Sequence, residues 1–139
     1  MLKYKRSNTM VQDELTIKCS NLFRIVNLDH FINLKILNLH GNRITEIENL
    51  NHLELLEELY LDNNYITEIK NINTLKNLRI LDLRHNQIAR ISGLDHLVNL
   101  NDLRLSDNRI TKLENINCPR LCHLYLDNNF IQKIENLND

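Results

Sequence analysis

Glycine is nearly missing from this 139-residue chain, which has only Gly41 and Gly93. A phosphate-cradling loop or a dinucleotide fingerprint needs several glycines close together, so that the backbone can approach the anion. Neither can be built here, and nucleotide-dependent enzymes of those classes are disfavoured. Cysteine is sparse as well: Cys19, Cys118 and Cys122 are an odd set that makes no disulfide framework. Despite abundant asparagine, no Asn-x-Ser/Thr sequon occurs, which favours the cytosol or nucleus. The N-terminal stretch MLKYKRSNTMVQDEL is basic but never becomes an apolar run, so it reads as neither a secretory signal nor a membrane span. Leu2 stands where N-myristoylation requires a glycine. Nor does one sign of charge dominate, with 17 basic and 18 acidic residues. Nothing in that balance draws in nucleic acid or an anionic membrane. The expectation is a soluble cytoplasmic chain, with nucleus or cilium as further locations.

What the sequence has is repetition. LYLDNNYITEI (Leu59–Ile69) returns 65 residues later as LYLDNNFIQKI (Leu124–Ile134). The pairs Leu15/Ile17, Leu37/Leu39, Leu59/Leu61, Leu81/Leu83, Leu103/Leu105 and Leu124/Leu126 step by 22 four times and then by 21. A fixed period of this size marks a stacked-repeat architecture. With Leu34 as slot 1, apolar residues fall at slots 1, 4, 6, 11, 14, 17 and 20, and asparagine at slot 9. In that unit they are Leu34, Leu37, Leu39, Ile44, Ile47, Leu50 and Leu53, with Asn42.

Slots 4 and 6 alternate with variable residues, as in a short strand with one buried face. Slots 11 to 20 recur every three residues, whereas an amphipathic α-helix mixes steps of three and four. Threes suit 3₁₀ turns or extended segments. One unit is thus a strand, a turn and a tight return path. It cannot bury its own leucines, and stacking does so, with parallel strands and right-handed connections. The slot-9 residues Ser20, Asn42, Asn64, Asn86, Asn108 and Asn129 are expected to satisfy backbone groups of their own turn and of the next coil. Asparagine elsewhere should replace glycine where turns need positive φ.

LEELYLDNNYITEIKNINTL (Leu56–Leu75) resembles the leucine-rich repeat. With returns such as ITEIENL (Ile44–Leu50) and ITKLENI (Ile110–Ile116), the unit is similar to the short 22-residue intracellular class. That class includes the leucine-rich regulatory subunit of protein phosphatase 1, axonemal and centrosomal repeat proteins, and a spliceosomal leucine-rich protein. The resemblance covers residues 12–139, as six units starting near 12, 34, 56, 78, 100 and 121, after a lead-in of residues 1–11. It implies an α/β solenoid with short parallel strands on the concave face and 3₁₀ or extended returns on the convex face. It also implies a protein-binding scaffold, as a regulator of protein phosphatase 1 or, alternatively, as a cytoskeletal, ciliary or axonemal assembly component. Ser20 suits a capping first coil. No polar cap follows the sixth unit, so a longer chain or another surface is expected to cover that end.

Strand residues between the core leucines should face away from the core, onto the concave face. Slot 3 holds Glu14, Ile36, Glu58, Ile80, Asp102 and His123; slot 5 holds Thr16, Asn38, Tyr60, Asp82, Arg104 and Tyr125; slot 7 includes Arg84. These columns vary in residue type while the core columns do not. Aromatics on a rigid polar surface are typical anchors of protein interfaces, which singles out Tyr60 and Tyr125. Tyrosine also suits an open sheet face for local packing. Tyr65 and Phe130, at slot 10, read either as anchors or as shields of a neighbouring turn. The candidate partner-binding set is Ile36, Asn38, Glu58, Tyr60, Ile80, Asp82, Arg84, Asp102, Arg104, His123 and Tyr125. Its mixed charges give orientation more than bulk attraction.

Rival chemistries are thin. Cys118, Cys122 and His123 lack a nearby fourth metal ligand. Cys122 and His123 are adjacent strand residues that face opposite ways, so they make no nucleophile–base pair. His30, His52 and His96 read as solvated loop residues. The partner expected is another protein, either the phosphatase catalytic subunit or a cytoskeletal component. No catalysis, cofactor, metal, small-molecule substrate, nucleic acid or membrane is expected.

Overall fold

A computed structural model of the chain describes residues 12–134; the lead-in of residues 1–11 and residues 135–139 lie outside the described residues. The strands are β1 (Glu14–Thr16), β2 (Ile36–Asn38), β3 (Glu58–Tyr60), β4 (Ile80–Asp82), β5 (Asp102–Arg104), β6 (Lys112–Leu113), β7 (His123–Tyr125) and β8 (Lys133–Ile134). Six of them form one sheet in the order β1-β2-β3-β4-β5-β7, and β6 pairs with β8. Every pairing is parallel, and Leu15, Leu37, Leu59, Leu81, Leu103 and Leu124 stand in one register row. Each unit is therefore one coil of a solenoid, and the period of the sequence is the register of the sheet.

The core follows the slots. From Leu34 to Leu97 every apolar slot residue of the second, third and fourth coils is at most 2% exposed. Each such burial contributes roughly 1.5–3 kcal/mol. Ile17, Leu22 and Phe31 in the first coil, and Leu121, Leu124, Leu126 and Ile131 in the last, are only partly buried against it. The one-residue deletion before the sixth coil is absorbed at Cys118. This cysteine takes the core place held by Leu53, Leu75 and Leu97 in earlier coils, and burial pushes its thiol pKa up.

The helical half of the expected α/β class is corrected: among the described residues there is no helix. The three-residue rhythm is instead met by consecutive single turns. Leu53 N–H donates to Leu50 O at 2.9 Å and Leu56 N–H to Leu53 O at 3.0 Å, and Ile72, Leu75 and Leu78 repeat the pattern. Residues between the bonded ones skip the ladder, so no continuous 3₁₀ helix develops.

The slot-9 asparagines serve their own turn as expected, but they bridge to the preceding coil rather than to the next. The Asn64 amide donates to Leu61 O at 3.0 Å in its own coil and to Leu39 O at 3.1 Å in the preceding one, while its oxygen accepts Ile44 N–H at 3.0 Å. Asn86, Asn108 and Asn129 repeat this arrangement. At the first boundary Asn42 Oδ1 accepts both Ser20 N–H and Leu22 N–H, at 3.0 and 3.1 Å. Seven of the ten non-glycine residues with positive φ are asparagines, consistent with asparagine standing in for glycine.

A second asparagine ladder was not anticipated. At slot 16, the amides of Asn49, Asn71 and Asn115 donate to Ile25 O, Ile47 O and Ile91 O at 2.7, 2.8 and 3.2 Å. Gly93 holds this slot in the fourth coil at φ +70°, and a Cβ there would lie 2.8 Å from Ile69 O. Coil four thus approaches coil three too closely for a side chain. His52 also departs from the solvated-loop reading, because its Nε2 lies 2.9 Å from Leu28 O and ties two coils together.

Candidate concave interaction face

The register brings the predicted columns together. Ile36, Glu58, Ile80, Asp102 and His123 form one row, and Asn38, Tyr60, Asp82, Arg104 and Tyr125 form the next. Each stands beside a slot-4 leucine whose packing fixes the strand, so the scaffold presents these side chains from a rigid sheet. Ile36, Asn38, Glu58, Tyr60, Ile80, Arg84, Asp102 and Arg104 are half-buried, and His123 and Tyr125 are exposed.

Asp82 differs from that expectation of exposure, being 1% exposed. Two arginines cover it. Arg84 donates from Nε to Asp82 Oδ1 at 2.9 Å and from Nη2 to Oδ2 at 2.6 Å, and Arg104 Nη1 lies 3.5 Å from Oδ2. Arg104 also grips Asp102, with Nε donating to Oδ1 at 2.8 Å and Nη2 to Oδ2 at 3.1 Å. These hydrogen bonds come first among the causes that push both guanidinium pKa values up. Asp82 is therefore a buried anchor for the surface rather than part of it. The four residues neutralise one another and hold each other's rotamers.

The two tyrosines sit on either side of this network. Tyr60 Oη donates to Glu58 Oε2 at 2.7 Å. Burial, and then the hydrogen bond and charge of Glu58, push its phenol up to about 12. The Tyr125 ring is 42% exposed, and the Arg104 Cζ lies 6.0 Å from its centroid. By strand spacing the two tyrosines are about 14 Å apart across three coils.

Residues beyond the predicted set complete the face. His40 Nδ1 lies 2.6 Å from Asp62 Oδ2, and Ser106 Oγ donates to Asp127 Oδ2 at 3.3 Å. Arg84, Arg104, Tyr125 and Asp127 join His85, Ser106 and Asp107 around a depression of about 390 Å³. Their signal in the sequence was the variability of slots 7 and 8, which was too weak to assign a role. A larger groove of about 520 Å³ lies elsewhere, between Lys35, Arg79 and Arg120, and no predicted residue lines it. The two cysteines of the loose metal-like spacing are separated by depth. Cys118 is in the core with its thiol 3.8 Å from Leu94 O, and Cys122 is exposed.

A parallel solenoid whose repeated residues build the core, and whose variable residues share one rigid face, defines a class of interaction module. The chain belongs to the leucine-rich-repeat family: the family model described as Leucine Rich repeats (2 copies) matches residues 32–74, 54–97 and 76–118. Among solved structures, an internalin, InlF, from Listeria monocytogenes is 30% identical with a TM-score of 0.80, over 86% of this chain and 36% of its own. A leucine-rich-repeat protein of Leptospira interrogans is 32% identical with a TM-score of 0.67, over 80% of this chain and 33% of its own. The functional domain of InlJ from Listeria monocytogenes, which includes a cysteine ladder, shares the fold at 22% identity and a TM-score of 0.70, over 91% and 32%. The chain spans about a third of the length of these proteins. No curated protein sequence matches it. Members of this family typically act as protein-interaction scaffolds.

Proposed function

We propose that the protein is a scaffold that binds another protein across its concave face, with Tyr60 and Tyr125 as anchors. The supporting observation is preorganisation: the Arg84–Asp82–Arg104–Asp102 network fixes the floor between the tyrosines before any partner arrives. A surface already ordered gives up little side-chain entropy on binding, and that improves affinity. Ile36 and Ile80 add aliphatic area beside the tyrosines. The reading is of a binding protein and not of an enzyme.

The occupant assigned first is the catalytic subunit of protein phosphatase 1, met in the cytoplasm; that choice rests on the resemblance of the 22-residue unit. A cytoskeletal or axonemal component is the second assignment, on the same ground. The experiment is capture of purified phosphatase catalytic subunit, and separately of tubulin and dynein components, by the wild-type chain and by Tyr60→Ala/Tyr125→Ala. The reading expects one of them to be retained by the wild type and lost by the variant, with thermal melting unchanged. Retention by the double variant refutes the concave face, and capture of neither refutes both occupants.

A further inference from the structure

The rim just past the strands carries a second row of side chains. Backbone N–H groups of Arg43, Tyr65, Gln87, Arg109 and Phe130 donate to Leu22, Ile44, Ile66, Ile88 and Ile110 of the preceding coil at 2.8–2.9 Å. One side chain per coil is thereby pinned at a spacing of about 4.8 Å. The aromatics of this row are open to solvent, Tyr65 at 50% exposed and Phe130 at 63%. Phe23 stands beside the row at 61% exposed, with the Arg43 Cζ 5.6 Å from its ring centroid.

The arginines of this rim differ from those of the concave face. Arg84 and Arg104 are neutralised within the face. Among the described residues Arg43 and Arg109 have no acidic partner, although both are exposed. Carboxylates in the same region are already engaged: Glu46 and Glu68 with Lys70, and Asp107 with His85 and Asn128. Two guanidinium groups without a carboxylate partner, about 14 Å apart, therefore lie among three exposed rings. Arginine and aromatic residues are the side chains that dominate interface energetics, and clustered exposed apolar area marks an interaction site.

We infer that this rim is a second docking surface, separate from the concave face, for an acidic protein segment in extended conformation. An extended chain covers about 14 Å in four residues, so the segment carries carboxylates at positions i and i+4 with apolar side chains between them. Each carboxylate pairs with one guanidinium, in the bidentate geometry arginine favours; an apolar side chain between the carboxylates covers Tyr65, and one just past the second carboxylate covers Phe130. A nucleic-acid backbone fits less well, because two charges over this length neutralise few phosphates.

The test is fluorescence anisotropy with the full chain and a labelled peptide Leu-Glu-Leu-Pro-Leu-Glu-Leu, beside a twin in which lysine replaces both glutamates. Saturable binding of the glutamate peptide, roughly tenfold tighter than the twin, is expected. Arg43→Glu and Arg109→Glu should each weaken it about tenfold, as should Tyr65→Ala/Phe130→Ala. Tyr60→Ala/Tyr125→Ala should leave it unchanged, which separates the two surfaces. Equal binding of both peptides, indifference to the arginine variants, loss in the concave variant, or no binding up to about 1 mM each overturns the inference. So does tighter, arginine-dependent binding of a labelled oligothymidylate, which assigns the rim to nucleic acid.

Discussion

Replacing Asn86 with alanine removes four hydrogen bonds at once. Its amide donates to Leu61 O at 3.0 Å, Leu83 O at 3.1 Å and Arg84 O at 3.2 Å, and its oxygen accepts Ile66 N–H at 2.9 Å. The four losses are unequal. Leu61 O keeps the Asn64 amide, Leu83 O keeps the Asn108 amide, and Arg84 O keeps Asn63 N–H. Ile66 N–H, in a fully buried residue, keeps nothing. One orphaned buried donor costs about 1–3 kcal/mol and each of the three weakened carbonyls about 1, for a total of about 4–6 kcal/mol. Urea unfolding followed by circular dichroism reads this as a lower midpoint at an unchanged slope. Asn86→Asp should cost more at neutral pH, since it keeps the acceptor but turns a charge toward three carbonyls. Asn129→Ala should cost less than half as much, because water reaches that half-exposed coil. A loss under about 1 kcal/mol for Asn86→Ala, or a milder aspartate variant, refutes the ladder as a source of stability.

Gly93→Ala forces a Cβ to within 2.8 Å of Ile69 O at positive φ, and thermal denaturation should register a loss of about 1–3 kcal/mol. The Tyr60 phenol is raised from 10.0 to about 12, so the fold holds its neutral form. That contribution is complete below pH 10 and disappears as pH rises through 12, and the alkaline loss of stability should be smaller in Tyr60→Phe. In thiol titration with Ellman's reagent, exposed Cys19 and Cys122 should react at once. Cys118, buried and with its pKa raised, should react only on unfolding.

The features legible in the sequence are those that every coil repeats. A slot-4 leucine meets the same neighbour in each coil, so the step from Leu37 to Leu59 to Leu81 already states the register. The same holds for Asn64 and Asn86, whose bonds connect equivalent atoms of successive coils. Features that arise once were not legible. Asp82 is covered because Arg84 stands two residues on and Arg104 one coil further, a coincidence that no column shows. The slot-16 asparagines were read only for their tolerance of positive φ, since backbone strain and a side-chain bond to Ile47 O leave the same mark in sequence. The helix implied by the repeat class is missing among the described residues because turns at Leu50, Leu53 and Leu56 satisfy the return. Of the candidate face, position was readable and mutual neutralisation was not.

The account stands most directly on where a partner touches the molecule. Photo-crosslinking reads that contact, using chains with Tyr125→p-benzoylphenylalanine on the concave row and Thr67→p-benzoylphenylalanine on the exposed return. The concave probe should yield a covalent adduct with the captured protein, and the return probe none. An adduct formed only from position 67 would contradict the central claim.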